Sequence, residues 1–171
     1  MANESYPVIL ARNSLQYYYR QHQIMPLPND LPSEFKERAG VFVSLKKRGE
    51  LRGCIGTFLP VQENIAMEII MNAVSAATED PRFYPVLEEE LPELSISVDI
   101  LGTPEAVSKR EELDPVRYGI IVCSGPRKGL LLPMLEGVDT VEQQIAITRQ
   151  KAGIGSDEPI EIYRFTVIRY H

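Results

Sequence analysis

Val41-Phe42-Val43-Ser44-Leu45-Lys46-Lys47-Arg48-Gly49-Glu50-Leu51-Arg52-Gly53-Cys54-Ile55-Gly56-Thr57-Phe58 is the stretch on which the architecture turns. Its first five residues are β-branched and aromatic types that read as a strand. Lys47-Arg48-Gly49-Glu50 turns the chain back, and Leu51 to Phe58 returns as a second strand. Residues 41–58 are therefore expected to form a β-hairpin, and hairpins pair antiparallel. Working outward, Asn64 to Thr78 predicts a helix with Ile65, Ile69, Ala73 and Ala76 on one face, widened by Ile70 and Ala77. The alanines permit close approach to another element, and Asp80-Pro81-Arg82-Phe83 stops the helix, because proline cannot continue it.

The flanks repeat this vocabulary. Ser5-Tyr6-Pro7 opens a first helix whose Val8, Ala11, Leu15, Tyr18 and His22 share a face. Pro26, Pro28 and Pro32 stiffen the connection after it, with a short helical turn expected at Ser33 to Arg38. Glu88-Glu89-Glu90 reads as a solvated loop. Leu94-Ser95-Ile96-Ser97-Val98-Asp99-Ile100 alternates apolar and polar, which predicts a strand with one wet face. Tyr118 to Cys123 and Leu130 to Leu132 form a second hairpin around Ser124 to Gly129. Asp139-Thr140-Val141-Glu142 has capping-box form and starts a helix that ends at Gly153. Ile160 to Tyr170 reads as one long strand whose apolar phase changes midway, as at a bulge or a strand buried on both faces. Hairpins in place of a βαβ series predict an α+β fold, a mainly antiparallel sheet packed by helices.

Composition removes several function classes. The chain has 171 residues, 44% hydrophobic and 25% charged, enough apolar material for a core without staples. Net charge is −6, and the short clusters Lys46-Lys47-Arg48 and Arg127-Lys128 sit beside glycines, so nucleic acid is disfavoured. No apolar run is long enough for a membrane span. Met1-Ala2-Asn3-Glu4-Ser5-Tyr6-Pro7 carries neither a basic start nor an apolar run, so no signal peptide is expected. Cys54 and Cys123 are the only cysteines, expected as reduced thiols of a cytoplasmic protein. His22, His171, Cys54 and Cys123 lack paired ligand spacing, so neither a metal nor any other cofactor is expected.

Two segments could carry chemistry. In Arg52-Gly53-Cys54-Ile55-Gly56, glycines inside a strand mark a bulge or a place where backbone or ligand comes close. Arg52 and Cys54 point to the same face of such a strand, and a nearby guanidinium favours the thiolate of a nucleophilic cysteine. The plainer reading makes Cys54 a small buried hydrophobe, the commonest fate of a free thiol. The Gly53-to-Gly56 spacing also fits a nucleic-acid clamp, but that clamp needs a loop between helices in a basic setting. In Asp80-Pro81-Arg82-Phe83, Asp80 is expected to bond local amides, Phe83 to anchor the loop, and Arg82 either to answer the helix dipole or to offer its fork to an anion.

At these residues the chain resembles the AMME chromosomal-region protein family, the AMMECR-type domain. The resemblance is carried by Leu51-Arg52-Gly53-Cys54-Ile55-Gly56, Val41 to Leu45, Ala76-Ala77 leading into Asp80 to Phe83, Glu90-Leu91, Gly119 to Val122, Gly129 to Pro133 and Lys151-Ala152-Gly153. It implies a single AMMECR-type domain over residues 1–171, with two lobes in one compact domain and the hexapeptide in the larger lobe. Arg149 and Gln150 stand where many relatives carry another cysteine, which argues against a thiol pair there. The resemblance implies no settled activity. It does suggest, as partners, a Memo-like protein and a radical SAM protein. Three roles follow as expectations. The chain binds a small anionic ligand or a modified peptide in a cleft formed by Arg52, Gly53, Gly56, Asp80, Arg82 and Phe83. Alternatively it is an enzyme using Cys54, or an adaptor for those two partners. The residues leave open whether it is an enzyme.

Overall fold

The computed structural model describes residues 4–171; Met1–Asn3, where part of the leader expectation falls, lie outside the described residues. The elements in chain order are α1 (Tyr6–Gln21), β1 (Val41–Lys47), β2 (Glu50–Thr57), α2 (Ile65–Thr78), β3 (Leu94–Leu101), β4 (Glu105–Val107), β5 (Gly119–Ser124), β6 (Arg127–Leu131), α3 (Val141–Ala152), β7 (Glu161–Phe165) and β8 (Val167–Tyr170). Short 3-10 turns occur at Ser33–Lys36, Glu88–Glu93 and Arg110–Glu112. The fold is α+β, with two four-stranded sheets ordered β2-β1-β3-β8 and β4-β7-β5-β6. No helix among the described residues is long and apolar enough to cross a membrane.

The chain divides into two units: the segment up to Ile100 with Ile168–His171, and Leu101–Val167. In the first, β1 pairs antiparallel with β2 and with β3, and Val41, Val43 and Leu45 are fully buried against α2, which α1 covers in turn. Asn64 caps α2, its side chain accepting from the Met67 amide at 2.8 Å. The sheet lets α2 come close because Gly53 lacks a side chain: a Cβ there would lie 2.1 Å from the Ala76 carbonyl oxygen. In the second unit β5 pairs with β6 and β7, and α3 packs on them over a core containing Ile120, Val122, Leu131 and Ile145. Thr140 caps α3 and Gln143 closes the capping box, one residue later than the sequence pattern suggested.

Three expectations change. Ile160 to Tyr170 is two strands, and its phase change is a change of sheet: β7 ends at Phe165, Thr166 accepts from the Gly102 amide, and β8 joins the other sheet. Glu90 is no solvated loop residue, because two cations draw its side chain to 12% exposure. The outward row of β3 is not uniformly wet, since Asp99 is buried beneath Arg169. His22 ends α1 in a left-handed conformation and is exposed, and Tyr18 is half-buried at the margin of the core.

Candidate functional site

β2 is an edge strand, so alternate backbone groups along it have no neighbouring strand to bond. At Cys54 that edge is occupied by side chains. The Cys54 amide donates to Asp80 Oδ2 at 2.9 Å, and Arg82 Nη2 donates to the Cys54 carbonyl at 3.4 Å. Asp80 is buried, and it also accepts from the Arg82 amide at 3.1 Å, from Arg82 Nε at 3.0 Å and from Nη2 at 2.8 Å. The guanidinium first, then the two backbone amides, hold the Asp80 carboxyl far below the ordinary carboxylate range against the opposing effect of burial. Proline between them fixes the spacing. The sequence expectation that Asp80 bonds local amides is met at Arg82, and its bond to Cys54, 26 residues away, is the additional finding.

Because the Cys54 amide points out to Asp80, Cys54 and Ser44 form a pair without mutual backbone bonds, the arrangement that brings opposite side chains closest. Cys54 Sγ accordingly lies 3.2 Å from Ser44 Oγ. Cys54 is half-buried and lies outside the apolar core, unlike the buried Cys123, and both thiols are free. The plainer sequence reading is corrected: strand alternation sends Gly53 to the helix side and Cys54 to the polar side. That side continues through Ser44 to Ser97, and through Phe42, whose ring fills the space left by Gly56, to Asp99. Arg169 grips Asp99 in two bonds of 2.7 and 2.8 Å. Those bonds chiefly raise the Arg169 pKa against burial, with a smaller contribution from the charge of Asp99.

Arg52 is committed within the protein. Nε and Nη2 bond Glu90 at 3.1 and 2.9 Å, Nη1 bonds the Tyr84 carbonyl at 2.8 Å, and Nη2 reaches the Pro85 carbonyl at 3.3 Å. Lys47 adds a 3.0 Å bond to Glu90, and the Leu87 amide donates to it at 2.8 Å. Arg52 foremost, then the Leu87 amide, pulls the Glu90 pKa down to about 2. Arg52 and Arg82 nonetheless line one open cleft of about 580 Å³ with Pro81, Phe83 and Tyr84. Arg82 stands at 56% side-chain exposure with its carbon centre 5.5 Å from the Phe83 ring. Among the described residues no group accepts from its Nη1. Gly53 and Gly56 shape the strand beside this cleft without lining it.

The AMMECR1 family model matches residues 8–170. The chain belongs to the AMMECR1 family. A Thermotoga maritima protein is 54% identical over 159 residues, 91% of each chain. A Clostridium acetobutylicum protein is 53% identical over 165 residues, which are 95% of this chain but 35% of that longer protein. The crystal structure of an uncharacterized protein from Pyrococcus horikoshii superposes with a TM-score of 0.88 at 34% identity, covering 96% of this chain and 88% of that one.

Within this AMMECR1-family chain, sequence reasoning passed over Glu90, Ser44, Asp99 and Arg169. Glu90 is distant in sequence from Arg52, Ser44 meets Cys54 only through the register of the hairpin, and only the last strand's sheet change brings Arg169 to Asp99. Glu68 was missed as well: buried, it accepts from Thr57 Oγ1 at 2.6 Å and from the Val61 and Gln62 amides at 3.0 and 2.8 Å, fixing the turn after β2. One acidic residue inside the apolar run Ile65 to Met71 was the available signal.

Proposed function

We propose that this AMMECR1-family chain binds a small anionic or modified ligand in the cleft lined by Arg52, Pro81, Arg82, Phe83 and Tyr84. One observation carries the reading: buried Asp80 pins Arg82 from behind, leaving an outward Nη1 beside an aromatic ring at a cleft wall. A guanidinium held in one place loses little freedom on meeting an anion. Arg52 supports this site indirectly, by holding the carbonyls of Tyr84 and Pro85. The test compares melting temperatures in sulfate, phosphate and chloride at equal ionic strength. Sulfate or phosphate should stabilise beyond chloride, and Arg82→Ala should remove that difference while Arg12→Ala keeps it. Equal melting in all three salts would sink the reading.

A cysteine-dependent reaction is the second reading, favoured by the half-exposed Cys54 thiol and by the Arg82 guanidinium that bonds the same residue's carbonyl. The rate of iodoacetamide labelling against pH tests it: a nucleophilic Cys54 reacts well below the pH at which an ordinary thiol does. The adaptor role toward a Memo-like and a radical SAM protein rests on the family resemblance alone, and placement in the cytoplasm on the cysteine usage of the sequence.

A further inference from the structure

Arginines in this chain share a habit. Arg12, Arg52, Arg82 and Arg169 each set the Nε–Nη2 edge of the guanidinium against a carboxylate, of Glu4, Glu90, Asp80 and Asp99. That edge presents two parallel N–H groups at carboxylate spacing. Arg149 is held as firmly but differently. Its Nη1 donates to the Gly155 carbonyl at 2.5 Å and to the Glu158 carbonyl at 3.0 Å. The loop that supplies those carbonyls is itself stitched down. The Glu158 carboxylate accepts from Arg127 and from the Gly155 amide, and the Ile154 amide bonds back to the Arg149 carbonyl at 2.9 Å. Among the described residues nothing accepts from Arg149 Nε or Nη2.

Arg149 lines a cleft of about 440 Å³, wholly within the Leu101–Val167 unit. Its apolar wall is Ile145, Ala146 and Ile154. Ile145 and Ala146 stand four and three residues before Arg149 on α3, hence on the same face. Arg110 also lines the cleft, in a long, exposed ion pair of 3.8 Å with Glu142, beyond hydrogen-bond distance. The lining thus sets two guanidiniums against one carboxylate, beside an apolar surface, in a volume suited to a small molecule.

We propose that this cleft is a second binding site, for a small amphipathic carboxylate: an organic acid whose carboxylate meets Arg149 Nε and Nη2 while its branched or aromatic body lies on Ile145, Ala146 and Ile154. It is independent of the Arg82 cleft, and the substitution that tests it leaves Arg82 and its partners untouched.

The test titrates the full chain, labelled with ¹⁵N and ¹³C, with 3-methylbutanoate, following the Arg149 Nε–H resonance and the Ile145 and Ile154 methyls. An acid of this size is expected to bind at about millimolar concentration. The acid should move all three signals together, with one saturating curve. 3-Methylbutanamide, of the same shape without the charge, should bind at least tenfold more weakly. Inorganic phosphate, which lacks the apolar body, should too. Ala146→Glu places a competing carboxylate one turn from Arg149 without disturbing the bonds to Gly155 and Glu158, and it should weaken the acid tenfold or more. No saturable shift with the acid, equal binding of the amide or of phosphate, or full binding to Ala146→Glu would each overturn the proposal.

Discussion

A missing Cβ decides the hexapeptide at the scale of single residues. Gly53→Ala would put a methyl group 2.1 Å from the Ala76 carbonyl oxygen, so backbone must move; a loss of about 3 kcal/mol or more is expected by urea unfolding. Gly49→Ala is the control, since its φ of +84° is strained for alanine but its surroundings are open, and about 1 kcal/mol is expected. Equal costs would deny the close approach of α2 to β2. The thiols give a second residue-scale expectation: iodoacetamide should label half-buried Cys54 before buried Cys123 in the folded chain. Glu90 gives a third. Its folded pKa of about 2 lies below the unfolded value of 4.5, so the unfolded chain binds the proton more readily. The stabilisation is complete above the unfolded value and is lost as pH falls through the window toward 2, by at most about 3 kcal/mol. Asp80, whose carboxyl is also lowered, acts in the same direction. Melting curves between pH 5 and 2.5 should therefore fall more gently for Glu90→Gln than for the wild type.

Elements were the most readable scale. The 41–58 hairpin, the 64–78 helix and the pairing around Ser124–Gly129 follow from local signals: alternation, a 3.6-residue period and turn glycines. What the sequence hid depends on which strand becomes an edge. Nothing local says that β2 has no outer neighbour, so nothing local says that Asp80 and Arg82 must take the place of one at Cys54. The three-residue β4 was likewise missed, because Glu105-Ala106-Val107 is too short to show a period. The edge arrangement carries its own prediction. Asp80→Ala removes the acceptor of the Cys54 amide and unpins Arg82, exposing a backbone edge that a second chain can join. Stability should drop by about 2–4 kcal/mol, and sedimentation should show self-association that grows with concentration. A variant that stays monomeric and as stable as the parent would mean that this pair does not protect the edge.

For the whole molecule, chain order matters more than any local signal. The chain leaves its first unit after Ile100, builds Leu101–Val167, and returns for β8, so the first unit contains both ends of the described chain. The long apolar run from Ile160 concealed this, since two strands of different sheets were written without a turn residue between them. The return is fastened at one ion pair. Arg169 on β8 meets Asp99 on β3, and Asp99 keeps only 4% of its side chain exposed. Burying that carboxylate is tolerable only while the guanidinium answers it. Arg169→Ala should accordingly cost about 3–5 kcal/mol, most of it the penalty of an unanswered buried charge. Removing the charge as well tests the cause: Asp99→Asn with Arg169→Ala should cost less than Arg169→Ala alone, which simple loss of contacts cannot produce. The two units have separate apolar clusters, so hydrogen exchange should report the damage unevenly. Amides of β1, β3 and α2 should lose protection, while those of β5, β7 and α3 keep theirs. Equal loss throughout would show that the chain unfolds as one cooperative body, and that β8 closes more than the sheet it joins.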